Sequence, residues 1–169
     1  LPDGDVLITW SYGQYGGQNY IARWDAQSAT YTSAGQFGPR VRKLIRANGR
    51  VYASGEFTEI DGQPSTGLAR YEPDTNTWTN VPRPPGAQSN ATELKETEDA
   101  LYAVYNSVAD RQDLATGQWL RLTVGFNTVQ ALVPLPSGEV LGVGQFRGTG
   151  TPTPYSALAT YSPAANAWT

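Results

Sequence analysis

The sequence predicts an all-β fold, a β-propeller built of four-stranded antiparallel blades, with four copies of the blade repeat in 169 residues. Three observations predict it. Aromatic residues close four similar segments at Tyr31, Trp78, Trp119 and Trp168, spaced by 47, 41 and 49 residues. Turn signals precede short apolar runs in every repeat. The composition suits strands and turns, with 18 Gly, 12 Pro, 5 Trp and 10 Tyr but only 16% charged residues. No stretch carries apolar spacing at the helical period, and no apolar run is long enough to span a membrane.

The outer half of each repeat is read from the aromatic-ended segments. Residues 69–79 read A-R-Y-E-P-D-T-N-T-W-T and residues 159–169 read A-T-Y-S-P-A-A-N-A-W-T. Residues 22–32, A-R-W-D-A-Q-S-A-T-Y-T, keep both aromatics, whereas residues 110–120, D-R-Q-D-L-A-T-G-Q-W-L, place Gln112 where the others have a ring. Each segment predicts a strand c, a polar turn and a strand d. The inner half is read from the turns in L-P-D-G-D-V-L-I, R-A-N-G-R-V-Y-A, T-E-D-A-L-Y-A-V and L-P-S-G-E-V-L-G. Asn48-Gly49 is the strongest hairpin signal, since both residues tolerate positive φ. An apolar strand b follows each turn. A strand a precedes three of them, at Val41 to Ile45, Ala91 to Leu94 and Val129 to Leu135. The first repeat begins at its turn and has no strand a.

The repeats therefore run approximately over 1–37, 38–82, 83–122 and 123–169 as one propeller segment. Repetition favours a propeller over a sandwich, because a blade cannot bury both faces alone and must pack on its neighbours. The paired aromatics are expected to fill the gaps between blades, each burying on the order of 150–250 Å². Four blades lie at the lower limit of a ring. The segment is thus expected to belong to a larger ring, completed by the rest of a parent chain or by further copies.

Absent residue types restrict the chemistry. There is no Cys, so no disulfide and no thiolate nucleophile. There is no His, which removes the usual general base and the commonest transition-metal ligand. There is no Met, so a processed product or an excerpt of a longer protein is expected. Net charge is −3, and the one basic cluster is Arg40, Arg42, Lys43, Arg46 and Arg50. So acidic a chain is a poor nucleic-acid partner, and the cluster reads as a solvated strand edge. No phosphate loop, nucleophile elbow or calcium loop occurs. Neither a metal nor another cofactor is expected. Asp113 to Trp119 has the letters of a sialidase Asp-box at the wrong spacing. Asn90-Ala91-Thr92 is a glycosylation sequon.

Tyr71-Glu72-Pro73-Asp74-Thr75-Asn76-Thr77-Trp78 resembles the kelch repeat, and Tyr161 to Trp168 nearly so. Segments 51–71 and 129–146 are similar to kelch-like repeats of bacterial secreted and surface proteins, akin to the central propeller of galactose oxidase. The resemblance is strong in repeats two and four, fair in one and weak in three. It implies a Gly at the end of strand b, met by Gly55 and Gly144 but replaced by Trp10 and Tyr105 in repeats one and three. Galactose oxidase chemistry needs His, Tyr and Cys around copper, so that activity does not carry over.

The expected function is a non-catalytic binding or adhesion module of an extracellular, cell-surface or virion-surface protein, recognising a glycan or a protein. Loops on a rigid scaffold carry recognition, and the b–c loops are long, at Ser11 to Asn19, Thr58 to Gly67 and Arg147 to Ser156. With the aromatics at the Gly positions they give the candidate binding residues Trp10, Tyr12, Tyr15, Tyr20, Asp61, Tyr105, Arg147 and Tyr155. A purely structural propeller module is the alternative. A glycosidase-like pair drawn from Glu56, Asp61 and Asp99 ranks last.

Overall fold

A computed structural model describes residues 1, 3–11, 19–38, 40–83, 86, 90–105, 108–122, 128–146 and 156–169. Among these residues there is no helix, and every strand pairing is antiparallel. The chain divides into two compact units, Leu1–Arg83 and Pro84–Thr169, each holding two sheets with the topology of propeller blades.

In the first unit, β1 (Val6–Ser11), β2 (Asn19–Asp25) and β3 (Thr30–Gly38) meander through the first sheet. The second sheet opens with β4 (Val41–Ala47) and β5 (Arg50–Gly55), the hairpin the sequence predicts. Asn48 and Gly49 make its turn with φ of 43° and 77°, the left-handed pair such a two-residue loop requires. The chain then leaves this sheet for β6 (Glu59–Ile60) and β7 (Gln63–Pro64). It returns as β8 (Leu68–Glu72) and β9 (Thr77–Asn80), giving the order β4-β5-β8-β9.

One expectation is corrected here. The long b–c loop of repeat two is not an open loop. Its β6–β7 hairpin pairs with β3, through Phe37 with Ile60 and Gly38 with Glu59. The first sheet therefore has five strands, in the order β1-β2-β3-β6-β7, rather than four or fewer. The physical reason is that β3 ends as an edge, and an adjacent hairpin satisfies its backbone groups.

The second unit holds β10 (Ala91–Glu96), β11 (Ala100–Tyr105), β12 (Val108–Asp113) and β13 (Trp119–Arg121) in one sheet. The other contains β14 (Thr128–Pro134), β15 (Val140–Phe146), β16 (Ser156–Ser162) and β17 (Ala167–Trp168). The three inner strands β4, β10 and β14 carry a register break at the same place, after Val41, Ala91 and Val129. A bulge there turns the inner strand sharply against strand b.

Aromatic residues fasten each pair of sheets. In the first unit, Tyr71 and Trp78 pack with Ile21, Ala34, Phe37, Phe57 and Ile60. The Trp78 indole Nε1 donates to the Ala34 carbonyl at 2.6 Å, and Asn76 Nδ2 donates to the Ser33 carbonyl at 2.8 Å. Tyr71 holds Asn76 in place by donating its hydroxyl to Oδ1 at 2.7 Å. The second unit repeats the device: Tyr161 donates to Asn166 Oδ1 at 2.8 Å, and Trp168 Nε1 donates to the Leu122 carbonyl at 2.8 Å. Asn76 and Asn166 sit at φ of 54° and 49°, a conformation Asn tolerates better than most residues. This is the physical content of the Tyr-x4-Asn-x-Trp spacing.

Repeat one departs. Trp24 and Tyr31 stack on one another with centroids 4.5 Å apart, but Tyr31 is 63% exposed, so it is not the core aromatic expected. They lie on the face opposite Ile21 and Phe37, which are fully buried against the second sheet. Among the described residues no sheet of the same unit covers that outer face. Repeat three replaces the Tyr hydroxyl with an amide, Gln112 Nε2 donating to the Gly117 carbonyl at 3.0 Å.

Candidate functional site

The best-formed candidate begins at the end of β1. Strand b ends in glycine in the second and fourth sheets because the inner strand crosses it closely. A Cβ at Gly55 would lie 2.1 Å from the Arg40 carbonyl oxygen, and one at Gly144 would lie 1.9 Å from that of Thr128. At the corresponding position of the first sheet no inner strand pairs with β1 among the described residues. Trp10 stands there, 48% exposed. Opposite it in register is Tyr20 at the start of β2, and their rings stack at 5.9 Å with an interplanar angle of 23°. Tyr20 is opposite Gln36 on β3. Gln36 is tied to Asp61 in the β6–β7 turn, its N–H donating to Asp61 Oδ1 and its carbonyl accepting from the Asp61 N–H, both at 2.8 Å.

Trp10, Tyr20, Gln36 and Asp61 thus form one row across the b–c end of the first sheet. Two offset ring faces lead to a carboxamide, and a carboxylate closes the row. Such a surface can stack on an apolar ring face and hydrogen-bond to the hydroxyls or amides around it. Asp61 combines this with a structural duty, since it occupies the first turn position of the Asp-Gly hairpin at φ 50°. Gln36 was not foreseen from the sequence. It is 25 residues from Asp61, and nothing in the local pattern links the two.

The remaining predicted residues do not join this row. Tyr105, on β11 in the second unit, is only 3% exposed and offers no open ring face. Tyr12, Tyr15, Arg147 and Tyr155 lie outside the described residues. The three carboxylates considered as a hydrolytic pair are each engaged. Glu56 accepts from the Arg42 guanidinium, Asp99 is paired with Arg111 at 2.9 Å, and Asp61 holds the Gln36 amide.

Other charges serve the scaffold. Asp5 accepts Arg23 Nε at 2.6 Å and the Ala26 N–H at 3.0 Å, and these bonds, the backbone one foremost, hold its carboxyl below the ordinary aspartate range. Asp110 goes the other way. It is 1% exposed, and burial raises its pKa against the opposing pull of Arg121 at 3.1 Å. Its counterparts in the other repeats are Ala22, Ala69 and Ala159. Among the described residues no group of three or more His, Cys, Asp or Glu side chains could hold a metal ion, and no helix is long and apolar enough to cross a membrane.

Comparison with known proteins supports the fold. A family profile described as a domain of unknown function (DUF5122) beta-propeller matches residues 46–74, from the end of β4 to the turn after β8. No curated protein matches the chain. The chain is similar to a solved structure of the extracellular domain of a putative one component system, BT4673, from B. thetaiotaomicron, at 19% identity and a TM-score of 0.55 over 91% of its own length. A second structure, described as the extracellular domain of the putative hybrid two component system BT4673 of the same organism, matches at 17% identity and 0.55 over 90%. In both cases the chain spans only 20% of the longer chain. At such identities the likeness shows the propeller fold.

Proposed function

We propose that this chain is a non-catalytic binding module of an extracellular protein, taking a glycan or protein ligand at the b–c end of its first blade. The observation that carries the reading is the stack of the half-exposed Trp10 on the half-buried Tyr20, set in register with Gln36 and Asp61. A tryptophan half exposed at a position that is glycine in two sister blades contributes little to its own core. A half-exposed tryptophan stacked on a tyrosine beside a carboxamide is the pattern of a recognition surface. The extracellular placement of the similar BT4673 domains supports the location, at the cell surface or in secreted form.

The kelch-like spacing from Tyr71 to Trp78 belongs, in this reading, to the scaffold and not to the ligand site. The competing reading is a purely structural blade segment, favoured by the burial of Tyr105 and by the turn-forming duty of Asp61. The two separate on glycan and protein arrays probed with the 169-residue chain and with Trp10→Ala. A binding module retains at least one ligand, and Trp10→Ala weakens it on the order of 30-fold, the size of an interface hot spot. No retained ligand, or undiminished binding by Trp10→Ala, favours the structural reading.

A further inference from the structure

Asn48 is the one asparagine in the sequence that precedes a glycine. With Gly49 it forms the tip of the β4–β5 hairpin, and both residues are exposed. Space around Gly49 is open: a Cβ built there would meet nothing within 4 Å. Its backbone nitrogen is therefore within easy reach of the Asn48 carboxamide once the turn opens. The other described asparagines are held. Asn19 is 7% exposed. Asn76 and Asn166 accept from the Tyr71 and Tyr161 hydroxyls, and Asn76 also donates to the Ser33 carbonyl. Asn80 Oδ1 accepts from the Ser65 hydroxyl and the Thr66 N–H. Asn90 precedes the buried Ala91, where β10 begins. Asn106 and Asn127 lie outside the described residues.

The charges beside the turn bear on the same chemistry. Arg46 and Arg50 flank it on the two strands, and both are exposed. Ala47 pairs with Arg50 and Arg46 with Val51, so both arginines are carried at the closed end of the hairpin. Cations placed there favour negative charge developing at the tip. Asn48 itself holds a left-handed φ of 43°, a conformation that costs an L residue free energy. An exposed two-residue loop under that cost is where local opening starts.

We propose that Asn48-Gly49 is a self-modification site, at which the chain converts asparagine to aspartate and isoaspartate with water as the only co-reactant. The Gly49 nitrogen, giving up its proton to solvent hydroxide, attacks the side-chain carbonyl carbon of Asn48. The new C–N bond closes an imide ring. The bond to Nδ2 breaks, and that nitrogen leaves with the electron pair, takes up a proton and departs as ammonia. Water then opens the ring at either carbonyl. Cleavage at the side-chain carbonyl restores the main chain and leaves aspartate. Cleavage at the main-chain carbonyl leaves isoaspartate, whose backbone runs through the side chain and is longer by a carbon. Arg46 and Arg50 stabilise the oxyanion of the first step and the carboxylate that results. The two products differ in what they do to the fold. Asp-Gly suits the same two-residue turn. Isoaspartate lengthens the loop, and loop length fixes hairpin register, so the pairing of Ala47 with Arg50 is the first to go.

The test incubates the 169-residue chain in mildly alkaline buffer at low salt. Each asparagine is followed by peptide mapping, with fragmentation that tells isoaspartate from aspartate. Asn48 should convert about tenfold faster, or more, than Asn19, Asn76, Asn80, Asn90 and Asn166, since glycine has no Cβ to shield its nitrogen. Replacing both arginines, Arg46→Gln with Arg50→Gln, should slow the conversion of Asn48 about threefold, and salt at about 1 M should erase the difference. After chromatographic separation of the products, hydrogen exchange at the Arg50 amide should quicken about tenfold in the isoaspartate fraction and stay unchanged in the aspartate fraction. The proposal is overturned if another of these asparagines converts first, or if the arginine substitutions leave the rate unchanged at low salt. Unaltered exchange at Arg50 in the isoaspartate fraction also overturns it.

Discussion

Trp78 and Trp168 each do two things at once: the ring fills the gap between two sheets, and the indole nitrogen binds a carbonyl of the preceding one. The two contributions can be separated. Trp78→Ala should lose about 3–5 kcal/mol through the cavity it leaves. Trp78→Phe keeps most of the ring and should lose about 1–2 kcal/mol, chiefly by orphaning the Ala34 carbonyl. Urea denaturation of the two variants checks the ratio. Ala29 offers the opposite change. It holds the turn position that Asn76 and Asn166 hold, at φ 53° without a side chain suited to it. Ala29→Gly should therefore raise stability by about 1 kcal/mol, read as an increase in the denaturation midpoint. These roles of Trp and Asn were legible in the sequence, because the spacing recurs from Tyr71 and from Tyr161. The exposure of Tyr31 was not, since its spacing from Trp24 is the same and only the absence of a covering sheet in its unit distinguishes it.

Strand-level design is clearest where the inner strand crosses strand b. Gly144→Ala drives a methyl group into the Thr128 carbonyl, which is backbone and cannot swing away. A loss of about 3 kcal/mol or more is expected, at the upper end of overpacking costs, measured by thermal or urea melting. The β6–β7 hairpin is held on β3 by backbone pairing and by one carboxylate. Asp61→Ala leaves the Gln36 N–H without its acceptor and should cost about 1–2 kcal/mol. It should also speed hydrogen exchange at Gln36 and Phe37 more than elsewhere. Alternation and turn chemistry alone reveal the β4–β5 hairpin, through Asn48-Gly49 and its flanking apolar runs. Asp61-Gly62 signals a turn just as well. What the sequence cannot state is which edge a short hairpin joins. That choice depends on the outer edge of β3, whose last residue Gly38 lies 21 residues upstream of its partner Glu59, an outcome of three-dimensional proximity rather than local pattern.

At the scale of the whole chain, charge sets a pH dependence with a definite sign. Asp5, Asp25, Asp99 and Asp113 are all held below the ordinary aspartate value by hydrogen bonds to the carboxylate, from the Ala26 N–H, the Ser28 N–H, the Thr97 hydroxyl and the Thr116 N–H respectively. A carboxyl depressed on folding stabilises the fold above its unfolded pKa of about 3.9, and that stability is lost as pH falls through the folded value. Asp110 has the reverse sign: its raised pKa favours the folded state on protonation and partly offsets the loss. Melting temperature should therefore be flat between about pH 6 and 8, where no side chain of ordinary pKa titrates in a chain without His, and fall below about pH 4. A step between pH 6 and 8 would contradict this. Binding by the Trp10 row is tested most directly by the indole N–H resonances of the five tryptophans during titration with an array-selected glycan or protein. Trp10 should shift progressively and saturably, while Trp78 and Trp168, whose indoles are bonded to Ala34 and Leu122 between sheets, stay in place. A titration that moves Trp78 or Trp168 and leaves Trp10 unchanged would contradict it.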